Sequence, residues 1–541
     1  MTRPAAHAGL PVGSVPGTVL ARSSRGMVTS PHTLASEAGL RVLRDGGNAI
    51  EAAIAMGGVI AVTYPHFCGI GGDAIWIVAD RDGRATTFTG IGQAAADWPA
   101  YRGTIPTRGP LSTVASAGVV DTWRLAHDFS CRHWGGRTSL AGLLDPAIGY
   151  AEDGFPLSDS QAFWTQFRLG DLPAWPGFVR TFLHEGRVPQ PSEPFLQKAL
   201  ARSLRLIAAN GPRDFYEGEL AAALAKGLAE VGSPLTAEDL RKTFAREEAP
   251  VALDYRGLRL LAPPPPTQGV TTLAILGVLE RLGLADVEEG SADYFHRCVE
   301  AVKQAFLDRN AIGDPAFAAP ADDLWIGADR LAAKAAAIDP DRALDWPHAF
   351  RTGDTVFFGA TDPQGHSVSV LQSTYFDWGS GVVVGDTGVL WQNRGAAFSI
   401  DPESPNCLAA GKRPFYTLNP GMALKDGHPH ILYGTQGADG QPQTLSVLLT
   451  RLIDYGLDPA EALSRPRFLL GRTFSDDRDS LKLESNVDPH VVASLRERGH
   501  QISLIAALSP LAGQAGAIVI DDHGDMMGAH DPRSDGVALG L

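Results

Sequence analysis

Between Ala53 and Val62 the chain carries no charged or strongly polar side chain. Asn48 is placed to cap a helix through Ile50, Ala53, Ile54, Met56 and Ile60, and Gly46-Gly47 ends the helix before it. A helix apolar on every side must be covered on every side. It is shorter than the roughly 18 residues of a membrane span. The covering has to come from other parts of the chain.

The preceding helix is expected to open at Ser30-Pro31 and to bury Leu34, Ala38, Leu40, Val42 and Leu43. After the apolar helix, Gly69-Ile70-Gly71-Gly72-Asp73 leads into a strand, Ala74–Val78. That turn lacks the Gly-Lys-Ser/Thr ending of a phosphate loop. Gly71 and Gly72 serve either packing or a site. Residues 135–250 and 285–340 read as helical, and Pro263–Pro266 form a stiff loop leading into an apolar helix, Thr271–Leu282. A polar stretch, 340–354, offers an exposed place for a cut. Strands are expected at 367–370, 382–384, 388–391, 430–433, 481–484 and 517–520, and helices at 445–455 and 459–465. Strands on both sides of residue 354 with helices between them predict one α/β body.

The chain has 541 residues, 44% hydrophobic and 20% charged, with a formal charge of −15. That charge argues against a nucleic-acid partner and gives no attraction to anionic membranes. Cys68, Cys131, Cys298 and Cys407 have neither disulfide-framework nor metal-ligand spacing and read as buried thiols. No metal or organic cofactor is expected. Pro11, Gly13, Pro16 and Gly17 interrupt any apolar leader, so a cytoplasmic location is expected.

Thr355 heads the segment Gly353-Asp354-Thr355-Val356-Phe357-Phe358. It is either an ordinary strand residue or a nucleophile. A Thr hydroxyl becomes an effective nucleophile when the peptide before it is cut, because the freed α-amine serves as its base. That amine has an unperturbed pKa of roughly 7.7–8.0. Downstream, Ser373 is placed to contact the Thr355 hydroxyl. The loop Gly434–Gly440 offers backbone N–H groups at Gly437 and Ala438 for an oxyanion. Lys412–Pro420 brings hydroxyls at Tyr416 and Thr417.

These segments, with Gly26-Met27-Val28, Gly46–Ala49, Gly379-Ser380-Gly381 and Asp531-Pro532-Arg533-Ser534, resemble the γ-glutamyltranspeptidase family of N-terminal-nucleophile hydrolases along nearly the whole chain. The resemblance implies an α/β (α+β) four-layer αββα sandwich, formed jointly by two fragments of a self-cutting precursor. Cleavage at Asp354–Thr355 would give residues 1–354 and 355–541, a heterodimer able to pair further into a dimer of heterodimers. It also implies a zymogen with Thr355 as nucleophile, Ser373 beside it, Gly437 and Ala438 as oxyanion donors, and Tyr375, Tyr416, Thr417 and Asp439 around a small-molecule substrate.

The chain departs from the glutamate-using members at the charges that hold a glutamyl head. Ile91 stands where they have Arg, Ala397 where they have a carboxylate, and Val356 where they have Thr or Ser; Ala438 replaces a Gly. Burying a zwitterion without partners is costly. Arg394, in Trp391-Gln392-Asn393-Arg394-Gly395, is either a carboxylate binder or one half of a structural ion pair. With Gly440-Gln441-Pro442-Gln443-Thr444 and Leu470–Thr473, this pattern resembles the oxamate amidohydrolase branch, which makes oxalate and ammonia in purine degradation. Phe357, Tyr375 and Trp378 are the expected aromatic lining. The alternatives are a γ-glutamyltransferase or glutathione hydrolase, a cephalosporin-acylase-like amidase, and an unprocessed binding protein.

Overall fold

The computed structural model describes residues 18–172, 175–284, 286–318, 325–346, 354–472 and 478–541. Residues 347–353 of the polar stretch before Thr355 lie outside them, as do residues 1–17, Thr473 and the side chain of Asp354.

Two seven-stranded sheets form the centre. One runs, edge to edge, Val537–Gly540, Met27–Ser30, Asp354–Thr361, Ser367–Tyr375, Asp73–Ala79, Ala85–Gly90 and Arg246–Glu248. The other runs Ala21–Ser23, Met526–His530, Ala515–Ile520, His428–Thr435, Gly421–Lys425, Leu258–Ala262 and Val251–Tyr255. Every pairing within these two sheets is antiparallel.

Side-chain alternation along the strands builds the layers. Met27, Ile77 and Ala79 meet Leu261, Met422, Leu432 and Ile518 between the sheets. Trp76, Val78, Val356, Phe358 and Val370 point the other way, onto helix Ala49–Thr63 and its neighbours. On the far side, Leu260, Ala423, Ile431, Tyr433 and Ala517 pack under helices Gly269–Leu282, Ala292–Phe306 and Gln441–Ile453. The order is helix, sheet, sheet, helix: the expected αββα sandwich. All fifteen residues of helix Ala49–Thr63 are buried, and Asn48 and Glu51 close a reciprocal capping box at its start.

The expectations were corrected at several points. Ser30 does not cap the first helix, which runs Thr33–Arg44 with His32 as its cap; Ser30 belongs to strand Met27–Ser30, paired to Val537. Its hydroxyl bonds the His32 carbonyl and Ser36 instead. Residues 135–250 include a short Phe155–Pro156/Pro194–Phe195 pair as well as helices. Of the four thiols only Cys68 and Cys298 are buried; Cys131 is exposed. No described helix is long and apolar enough to cross a membrane.

The glycine turn before Asp73 serves packing. A Cβ on Gly72 would sit 2.2 Å from the Ser373 carbonyl oxygen, and one on Gly71 would sit 2.3 Å from that of Leu390. Gly149, inside helix Leu140–Asp153, has nothing within 4 Å of the same position. Gly72→Ala should therefore lower the thermal midpoint, at a cost of about 1–3 kcal/mol. Gly149→Ala should raise it, by about 0.5–1 kcal/mol. Thermal melts of the two variants check both signs.

Candidate active site

Thr355 is the second residue of strand Asp354–Thr361 and is fully buried. The ladder to strand Ser367–Tyr375 pairs Asp354 with Tyr375 and Val356 with Gln372. Thr355 therefore lies opposite two residues, Ser373 and Thr374. This is a β-bulge, a device that re-aims a side chain near sites. Thr355 and Phe357 share the strand face turned toward the second sheet, where Phe357 packs with Ile75, Leu371 and Tyr416.

Gln441 Nε2 donates to Thr355 Oγ1 at 3.2 Å. Ser373 lies across the bulge, where its Oγ accepts from the Tyr375 N–H at 2.8 Å. Tyr375 has φ of 83°, left-handed backbone that a non-glycine residue adopts only under local strain.

Arg394 is fully buried on a short 3₁₀ turn, Arg394–Ala397. Its guanidinium carbon lies 3.7 Å from the Tyr375 ring centroid and 3.8 Å from that of Tyr416, between the two rings. Nη1 donates to Thr417 Oγ1 at 3.1 Å. Nε and Nη2 meet no acceptor in good hydrogen-bond geometry among the described residues, although Arg394 also bears on the Tyr416 hydroxyl. A buried guanidinium with two nitrogens unused and no carboxylate in direct contact is costly to maintain.

Asp73 supports this arrangement, and the sequence reading missed it. Its carboxylate accepts from the Tyr416 hydroxyl at 2.7 Å and from the N–H groups of Gly92 at 2.9 Å and Gly118 at 2.7 Å. Burial pushes its pKa up to about 6, opposed by the Tyr416 bond and by Arg394. Tyr416 thus spends its hydroxyl on Asp73 and offers its ring to Arg394. The signal for Asp73 was its place after Gly71-Gly72, where a carboxylate can bond nearby backbone.

The glycine-rich loop follows strand His428–Thr435. Neither Gly437 nor Ala438 N–H has an intramolecular acceptor among the described residues. Gln268 holds the loop through Nε2, which donates to the carbonyls of Ala438 and Thr417, both at 2.7 Å. Arg309 bonds Gln268 Oε1 at 3.1 Å and forms a buried ion pair with Asp439. Ala438 has φ of 42°, so this position does require a left-handed backbone.

Of the remaining expected residues, Trp378 lies apart, whereas Ile91 and Ala397 stay beside the aromatic residues of the site. Trp378 packs against Phe178 and Phe182 in the helix layer. Ile91 joins the apolar cluster of Phe357 and Tyr416, and Ala397 packs with Tyr375 and Phe376. Arg413 pairs with Asp314 and Glu248, and Arg533 with Asp531 and Glu484, which ties loops together. One set of possible metal ligands, His296, Glu300 and His500, gathers within 4.8 Å. There His296 bonds His500 at 2.9 Å and Glu300 bonds Lys303 at 2.7 Å, so these side chains already partner one another.

Two outcomes follow from these geometries. Ala438→Gly should relieve about 1 kcal/mol of left-handed strain, partly offset by chain entropy, and raise the thermal midpoint slightly. Asp73 has a folded pKa raised above its unfolded value, so its ionisation opposes folding. That cost is absent below about pH 4 and fully present above about pH 6. Compared with Asp73→Asn, the wild type should gain stability as pH falls from 7 to 4. Melts of both proteins at the two pH values check this; a constant gap contradicts it.

The gamma-glutamyltranspeptidase family model matches residues 35–541. The chain is 45% identical over 524 residues to the oxamate amidohydrolase proenzyme of Klebsiella pneumoniae subsp. pneumoniae, covering 96% of this chain and 99% of that protein. It is 30% identical to the glutathione hydrolase proenzyme of Escherichia coli, over 95% of this chain and 91% of that one. The crystal structure of cephalosporin acylase from Bacillus halodurans superposes with a TM-score of 0.89 at 30% identity, covering 100% of this chain and 99% of the other. Fold and relatives agree: the chain belongs to the gamma-glutamyltranspeptidase family and is an amidohydrolase of that family.

Proposed function

We propose that the protein is a self-processing amidohydrolase that hydrolyses a small carboxylate-bearing amide, oxamate by preference. The observation that carries this is Arg394, a fully buried guanidinium stacked between Tyr375 and Tyr416, whose Nε and Nη2 meet no acceptor in good hydrogen-bond geometry among the described residues. Two adjacent N–H groups match the two oxygens of one carboxylate. The likeness to an oxamate amidohydrolase proenzyme supports the same substrate.

In the precursor, the Thr355 hydroxyl attacks the carbonyl carbon of Asp354. The acyl group shifts from nitrogen to oxygen, and water hydrolyses the ester. The products are residues 1–354 and 355–541, the second beginning with a free Thr355 amine, and the two remain together as a heterodimer. In the mature enzyme that amine takes the Thr355 proton as Oγ1 attacks the substrate amide. The N–H groups of Gly437 and Ala438 hold the tetrahedral oxyanion. The amine returns the proton to the departing ammonia. Water then releases the acid, which from oxamate is oxalate, and regenerates Thr355. Ser373 steadies the bulge. Thr417 and Tyr416 orient Arg394, and Asp439, held by Arg309, sets the loop that borders the substrate.

A glutamyl head fits poorly, because Ile91 and Ala397 sit in apolar surroundings at the positions where its charges would need partners.

Arg394→Met should lower kcat/KM for ammonia release from oxamate by at least about a hundredfold, since each charge-assisted bond contributes about 1.5–3 kcal/mol. Its thermal midpoint should stay level or rise, because an incompletely partnered buried charge is removed. A variant that loses stability and activity together makes Arg394 structural. Wild-type turnover of a γ-glutamyl anilide exceeding that of oxamate overturns the substrate assignment.

A further inference from the structure

Gln441 touches the proposed nucleophile, yet neither the oxyanion loop nor the carboxylate pocket accounts for it. It is the first residue of helix Gln441–Ile453 and is fully buried. Its amide orientation is fixed from outside. The Asn419 backbone N–H can only donate, and it lies 3.2 Å from Gln441 Oε1. Asn419 is itself held through Nδ2, which donates to Thr272 Oγ1 at 2.9 Å. With Oε1 committed, Nε2 must face Thr355 Oγ1, at 3.2 Å. The contact is a donor aimed at the reacting oxygen, delivered from the positive end of a thirteen-residue helix.

We propose that Gln441 is a catalytic residue that stabilises negative charge on Thr355 Oγ1. This rests on Thr355 being the nucleophile. Because Nε2–H occupies one side of Oγ1, the hydroxyl proton must leave on another, toward the base. As the Oγ1–carbon bond forms, the O–H bond breaks and its proton passes to the Thr355 amine. When water has added to the ester, the Oγ1–carbon bond breaks and its electron pair returns to Oγ1. Gln441 Nε2–H holds that developing charge while the ammonium gives its proton back. Water is the sole co-reactant. A carboxylate at 441 would present oxygens where the charge gathers. An apolar side chain would leave Oγ1 without this donor. The same contact serves the precursor, where the same oxygen attacks the Asp354 carbonyl.

The test compares Gln441→Met, similar in size with no donor, and Gln441→Glu, similar in shape with no donor once ionised, with Thr355→Ala as control. Conversion of full-length chain to two fragments is followed on denaturing gels, and kcat and KM for oxamate are measured on processed protein across pH. We expect Gln441→Met to slow both processing and kcat by about a hundredfold with KM nearly unchanged. Gln441→Glu should shift the basic-to-acidic limb of the kcat profile to higher pH, because its charge beside the amine favours the ammonium form. Wild-type processing and kcat in Gln441→Met, or a loss confined to KM, overturns the proposal. If Gln441→Met does not fold, an unshifted limb in Gln441→Glu overturns it equally. Thr355→Ala separates the two levels. If that variant is cut normally, the nucleophile reading itself fails. If it stays intact while Gln441→Met behaves as wild type, only the role of Gln441 fails.

Discussion

Asp73 is a carboxylate taken out of water and surrounded by donors. It begins a strand of the sheet that carries Thr355, directly beside Ser373 in the ladder. Its partner Tyr416 precedes strand Gly421–Lys425 of the other sheet. One hydrogen bond therefore ties the loop that leads into the second sheet to the first sheet beside the bulge. Tyr416 is held so that its ring covers Arg394, and Gly92 and Gly118 are drawn in by the same carboxylate. Without Asp73 the tyrosine hydroxyl would be a buried donor with nothing to bond.

The site divides its polar work between supported and unsupported groups. Gln268, Arg309 and Asp439 bond one another and brace the loop at Gly437-Ala438. Gln441 is satisfied by Asn419 and Thr355. Arg394 keeps two nitrogens without an acceptor in good hydrogen-bond geometry among the described residues. Stacking between two rings compensates part of the cost, since cation–π contacts contribute roughly 2 kcal/mol when desolvated. Selection of a substrate by charge needs an incompletely satisfied group of this kind, and Ile91 and Ala397 offer no second one.

The sequence revealed the layers more readily than the links between them. Helix Ala49–Thr63 was legible because its apolarity has no other physical solution, and strand Leu481–Glu484 because its alternation is local. Strands Val251–Tyr255 and Gly421–Lys425 escaped notice, being short segments recognisable only from their partners. Thr355, Arg394, Tyr416 and the glycine loop could be named from motifs. Asp73 and Gln441 stood inside motifs without a role, and Gln268 and Arg309 went unnamed, because each acts through a contact distant in sequence: Tyr416 to Asp73 spans 343 residues. Ser30 was misplaced for a related reason. A capping pattern is local, and pairing with Val537 at the other end of the chain outweighed it.

The central claim is that Thr355 becomes an N-terminal nucleophile by cutting the bond before it. Intact-mass analysis of the purified protein with N-terminal sequencing of its smaller fragment tests this most directly. The account predicts a fragment spanning residues 355–541 that begins Thr355-Val356-Phe357, together with its companion ending at Asp354. A single uncut chain, or a fragment beginning at any other residue, would contradict it.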